Sequence, residues 1–244
     1  MPDLNMDRLQ IDFPAKKHLN VAIYSVGFSS VAKLSKGSIS TFILHLHPRL
    51  VPESAARVRF TFCLGGLAAW MFVLEVITGI LLLLHYVPSH TGAYGSVQDI
   101  SYAIPYGFFV RNLHYWCGQA MVILVLLHMI RVFVTGSYRP PRHFNWIIGM
   151  SLLVLTFLVD FTGYLLVWDD RGLWAWTIAR NLGETVPVIG KALSGLLFGP
   201  AEVSDLTLVR LYVWHVVLLP LIMGILAAWH FWRIRKDGGI SVPL

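Results

Sequence analysis

Charge is scarce in this sequence. Only 13% of its 244 residues are Asp, Glu, Lys or Arg, against about 25% in a typical soluble domain. Hydrophobic residues make up 56% and the mean hydropathy is +0.65. This balance argues against a water-soluble globule and for a polytopic membrane protein. Cysteine is nearly absent too. Cys63 and Cys117 are the two present, and both fall in apolar stretches, which gives no basis for a disulfide framework; a buried free thiol is the common state there. No repeat of fixed period or low-complexity tract occurs. The first 57 residues lack a short apolar core followed by a small-residue cleavage site, so no removable signal peptide is expected.

What is abundant is long apolar sequence. Four segments are long enough to cross a hydrocarbon core of about 30 Å as helices: Phe60–Val87, Leu113–Val134, Trp146–Val167 and Leu211–Trp232. The basic residues sort by side. Fourteen lie before the first span, between the second and third, or in the tail, and five lie in the remaining loops. The positive-inside rule then places both termini on the cytoplasmic, inner side of the membrane. This topology accounts for the net charge of +6. No nucleic-acid partner is implied, because the basic residues are spread over three membrane-flanking segments. Residues 1–57 read as an N-terminal inner-side segment, with an interfacial helix expected within Val21–Leu46. Residues 58–244 read as the transmembrane domain, and the fold class is an all-α four-helix membrane bundle. The outer loop Pro88–Val110 is rich in Gly, Ser and Tyr. The inner loop Thr135–Arg142 holds two prolines and a glycine, and is read as a tight turn. A short surface helix is expected within Thr185–Phe198.

Of the ten histidines, four lie within the second and fourth spans: His114 and His128 in the second, His215 and His230 in the fourth. Ionisable groups are costly in a bilayer and usually mark function, although a single one also serves packing. The spacing adds information. His114 and His128 are 14 residues apart and return to within roughly 40° of one helix face; His215 and His230 are 15 apart, within roughly 60°. The rises are about 21 and 22 Å. Both spans run from outside to inside, so His114 is level with His215 and His128 with His230. Each level offers imidazoles to both faces of a porphyrin iron. Such ligation leaves no open position and suits electron transfer, not oxygen chemistry. Two haems b are therefore expected.

The other two spans carry matching glycines: Gly65 and Gly79 in the first, Gly149 and Gly163 in the third, each pair again 14 apart. Gly65 and Gly149 match the inner level, and Gly79 and Gly163 the outer. A missing side chain lets a flat macrocycle approach the backbone; the alternative role is helix–helix contact by small residues. Arg111 and Arg131 each lie about one turn from a ligand candidate, where a guanidinium can pair with haem propionates or simply anchor at the interface. Glu75 and Asp160 sit about one turn inward of the outer level. Carboxylates at that depth are expected to be either neutral structural groups or proton-exchanging groups beside a redox centre.

Taken together, Arg111–Arg131 (RNLHYWCGQAMVILVLLHMIR), Thr162-Gly163-Tyr164, Val186-Pro187-Val188-Ile189-Gly190 and Arg233–Leu244 (RIRKDGGISVPL) resemble the cytochrome b6 family, the four-helix cytochrome b subunits of cytochrome b6f and related Rieske–cytochrome b complexes. The resemblance covers residues 57–244 and includes the 14 and 15 histidine spacings. Phe62-Cys63-Leu64-Gly65-Gly66 resembles the family segment whose cysteine carries a third, c-type haem by one thioether bond. Cys63 would be the attachment residue, with Gly66 and Arg235 beside that haem. Some positions depart from the family pattern. Tyr115 replaces a second arginine, Leu166–Asp170 lacks the usual proline and glutamine, Glu75 stands where glutamine is usual and Asp160 where a small residue is, and the C-terminal turn has one extra glycine.

The resemblance implies a subunit of a quinol–cytochrome c or plastocyanin-type oxidoreductase, not catalytically complete alone and with no catalytic side chain of its own. Quinol would be oxidised near the outer face, one electron leaving to a Rieske iron–sulfur protein and the other crossing the two b haems to quinone inside. The chain lacks the Pro-Glu-Trp-Tyr segment of the family's quinol pocket, so a separate three-helix cytochrome b subunit is implied, with a c-type cytochrome as further partner and a dimeric complex. An alternative is a haem b membrane anchor for a different quinone-linked oxidoreductase with multihaem cytochrome or dehydrogenase partners. A transporter using Glu75 and Asp160 is a third class, which a visible spectrum distinguishes.

Overall fold

The computed structural model describes residues 61–200 and 202–239. The expected interfacial helix within Val21–Leu46, the first residue of the first span and the last five residues of the chain lie outside them. Four long helices dominate: α1 (Leu64–Leu83), α3 (Gly107–Val134), α4 (His143–Leu165) and a composite fourth. The composite consists of α7 (Asp205–Val213), a π-helical turn Trp214–Leu218 and α8 (Leu219–Lys236). Each of the four is long and apolar enough to cross a membrane. Shorter helices α2 (Ala93–Tyr102), α5 (Asp170–Glu184) and α6 (Gly190–Phe198) fill the two longer connections.

The first span begins later than its hydropathy suggests. Phe62 and Cys63 both have left-handed backbones, and Cys63 is the N-cap of α1, exposed and outside the helix body. The expectation that both cysteines lie within spans therefore holds for buried Cys117 only. The Pro88–Val110 connection is not a plain loop, because α2 occupies half of it. The surface helix expected in Thr185–Phe198 is α6, and α5 before it was not expected. Asp169 starts α5 by accepting the Gly172 N–H at 2.8 Å, an N-cap whose negative charge also suits the helix terminus.

Packing is uneven. α1 lies along α3, and α4 along α8, with α3 touching α4 between the two pairs. The histidine-bearing helices α3 and α8 do not pack closely on each other. The well-buried core sits at one end, where Ala93, Leu165, Trp168, Trp176, Leu208 and Leu211 meet. This is named the outer end; the end carrying Cys63, the Thr135–Arg142 turn and Lys236 is the inner one, after its charge. Along the rest of the helices large apolar side chains such as Trp70, Ile80, Ile123, Val154 and Ile225 face outward. That is the pattern of helices solvated by lipid and by partners rather than by water.

Candidate haem sites

The glycines fix the register of the bundle. A Cβ built on Gly79 would lie 3.3 Å from Cε1 of His114, and one on Gly65 would lie 3.2 Å from Cε1 of His128. On the other pair, Gly163 faces His215 at 2.6 Å and Gly149 faces His230 at 3.5 Å. Each half-buried histidine thus leans on one glycine of its antiparallel neighbour. The contacts group as Gly79 with His114 and Gly163 with His215 toward the outer end, and Gly65 with His128 and Gly149 with His230 toward the inner one.

Across the outer level the His114 and His215 rings have centroids 6.2 Å apart. An iron about 2 Å from one nitrogen of each ring requires about this separation. The Nδ1 atoms are already engaged. Thr78 Oγ1 donates to the Leu74 carbonyl at 2.7 Å, which leaves it an acceptor for His114 Nδ1 at 2.9 Å. Glu75 Oε2 lies 3.0 Å from the same Nδ1. On the opposite side Thr162 Oγ1 donates to Leu158 at 2.9 Å and sits 3.2 Å from His215 Nδ1. That nitrogen also faces the Val159 carbonyl at 3.0 Å. Both rings are thereby held as Nδ1–H tautomers, with Nε2 left for a metal.

At the inner level the Gly149 contact is the looser of the two, 3.5 Å against 3.2 Å at Gly65. Among the described residues no three His, Cys, Asp or Glu side chains gather into a metal cluster. The chain offers two imidazoles per level, which is the number that a porphyrin, with four nitrogens of its own, requires. The residues therefore fit two bis-histidine haems.

The remaining candidates are more dispersed. Arg111 donates to Ser101 of α2 at 3.2 Å, which ties it at the outer end of α3. Cys63 is exposed at the inner end, and a Cβ on Gly66 would meet nothing within 4 Å. Arg235 lies in the last turn of α8, half-buried. Asp160 accepts from Gln119 at 3.3 Å, and it and Glu75 flank Gly118 from opposite helices. Sequence reasoning did not assign Thr78 and Thr162. Their signal was legible, since each immediately precedes an outer-level glycine.

The profile of the Cytochrome b/b6/petB family matches residues 50–238. The chain belongs to the cytochrome b/b6 family. It is 39% identical over 193 residues to a protein named cytochrome b6 from Heliomicrobium gestii, covering 79% of this chain and 90% of that one. It is equally identical over 187 residues to the cytochrome b6 of Mastigocladus laminosus, covering 77% and 86%. Among solved structures it is similar to a chain of a hyperthermophilic respiratory complex III, with a TM-score of 0.67 and 28% identity over 73% of this chain. The match spans about half of that longer chain, 48%. As in other cytochromes b, haem b is its cofactor, and the four apolar helices make it a membrane protein.

Proposed function

We propose that this cytochrome b subunit of a quinol oxidoreductase holds two b haems, one between His114 and His215 and one between His128 and His230. The supporting observation is the pairing of each half-buried imidazole with a glycine, at two levels, on all four long helices. Bound haems supply one-electron transfer between the two faces of the membrane. The chain's own residues do the rest. The histidines would hold the two haems, Gly65, Gly79, Gly149 and Gly163 would let the backbone approach them, and Arg111 and Arg131 would balance propionate charge. Cys63 is the attachment point for a third, c-type haem beside Gly66 and Arg235. Its thiol would hold that haem through a single thioether bond.

The substrate is quinol at the outer face and quinone at the inner one, with both termini on the inner side. A three-helix cytochrome b subunit, a Rieske iron–sulfur protein and a c-type cytochrome complete a dimeric complex. The test is His128→Ala in the intact complex. It should lose the inner b-type component of the reduced spectrum and keep the outer one in part. Full haem content with an unchanged spectrum would reject the assignment.

A further inference from the structure

The outer histidines are supported by a near-symmetric arrangement with one asymmetric member. On α1 and α4 alike, a threonine one residue before the glycine bonds the imidazole Nδ1, and the residue four before the glycine supplies a second acceptor. On α4 that acceptor is the main-chain carbonyl of Val159, at 3.0 Å. On α1 it is the side-chain carboxylate of Glu75, also at 3.0 Å. The Glu75 side chain is only 15% exposed and His114 only 22%. The second carboxylate oxygen, Oε1, is buried without a hydrogen-bond partner and faces the backbone of Gly118. The other nearby carboxylate, Asp160, is answered by Gln119. A buried carboxylate with an orphan oxygen is costly to hold. What Glu75 gains in return is the bond to His114.

We propose that Glu75 is a positioning residue that sets the reduction potential of the outer haem through its ligand. The inference rests on His114 and His215 being axial ligands. An Nδ1–H donated to a carboxylate leaves the imidazole more basic at Nε2 than one donated to a neutral carbonyl. A more basic, more electron-rich ligand favours the oxidised iron, and hydrogen bonding around the ligands is one of the levers by which a protein moves haem potential. The effect is local. Among the described residues no hydroxyl or carboxylate bonds the His128 or His230 ring, so the inner haem serves as an internal control. Thr78 matters because it shares the same N–H. Removing its oxygen concentrates the bond on Glu75.

The two variants therefore move the potential in opposite directions. In redox titrations of the intact complex, with the outer component identified by its loss in His215→Ala, Glu75→Gln should raise the outer potential and leave the inner one in place. The expected change is tenfold or more in the reduced-to-oxidised ratio at fixed ambient potential, about 59 mV for one electron. Thr78→Val should lower the outer potential. An unmoved outer haem in Glu75→Gln, equal shifts of both haems, or a rise in Thr78→Val would each overturn the role of Glu75. If Glu75→Gln loses the outer haem, the sign seen in Thr78→Val decides alone. A wild-type complex with no haem at the outer level would overturn the ligand assignment itself, a result distinct from all of these.

Discussion

At the scale of single residues, the site depends on how closely imidazoles approach glycine backbone. The four approaches are unequal. A methyl group on Gly163 would meet His215 Cε1 at 2.6 Å, whereas one on Gly149 would meet His230 at an ordinary 3.5 Å. His215 has little freedom to yield, because the Val159 carbonyl and Thr162 hydroxyl hold its Nδ1. Gly163→Ala should therefore displace the ring and lose the outer haem, with an overpacking cost of about 1–3 kcal/mol. Gly149→Ala should keep the outer haem. Haem-to-protein ratios from reduced spectra of the two variants check this, and equal loss of the outer haem in both would contradict it. The ligands and glycines were legible in the sequence because a regular helix converts spacing directly into facing. The contact of Glu75 with His114 was not. Spacing gave the depth of that carboxylate, but whether its side chain reaches a ligand depends on rotamer and on the tilt between α1 and α3.

At the scale of helices, the 15-residue interval in the fourth span needed the structure to explain it. On a regular helix His215 and His230 diverge by roughly 60°, against roughly 40° the other way for a 14-residue interval. The π turn Trp214–Leu218 resolves the mismatch. The Leu219 N–H bonds the Trp214 carbonyl five residues back, so one residue is absorbed without advancing the face. Pro220 follows at the start of α8. With no N–H of its own and a ring that crowds the preceding turn, it disfavours a regular α-helix there. The interval then behaves as 14, matching His114 and His128. Deleting Val217 should accordingly leave both histidines on one face and both haems bound. Deleting Val125 from regular α3 should turn His128 by a further 100°, to about 140° from His114, and cost one b haem. Haem stoichiometry of the two deletions is the measurement, and loss of a haem in the Val217 deletion would argue against the π turn as register corrector. The long helices themselves were legible from hydropathy, whereas α2 and α5 were not. These lie in polar sequence and are held by packing at the outer core, including Ala93 and Trp176.

At the scale of the whole molecule, a buried core that includes Trp168 and Trp176 packs the outer end, and among the described residues Cys63 stands exposed at the inner one. The two cysteines differ accordingly. Cys117 is buried in the body of α3, where a packed thiol has no route to a macrocycle. Cys63 is exposed at the N-cap of α1, turned out of the helix by two successive left-handed residues. Gly66, one turn on, leaves open space that any side chain would narrow. Cys63 thus stands exposed two residues before Gly65, the glycine that faces His128, and the last turn of α8 carries Arg233, Arg235 and Lys236. A thioether there would survive extraction that removes the two b haems, which are held by coordination alone. After acid–acetone extraction and denaturing electrophoresis, the wild-type subunit should retain haem-dependent peroxidase staining at its own mass. Cys63→Ser should lose that stain while keeping both b-type components of the membrane spectrum, and Cys117→Ser should keep it. A wild-type subunit that carries no stain would leave a two-haem protein and remove the role assigned to Cys63.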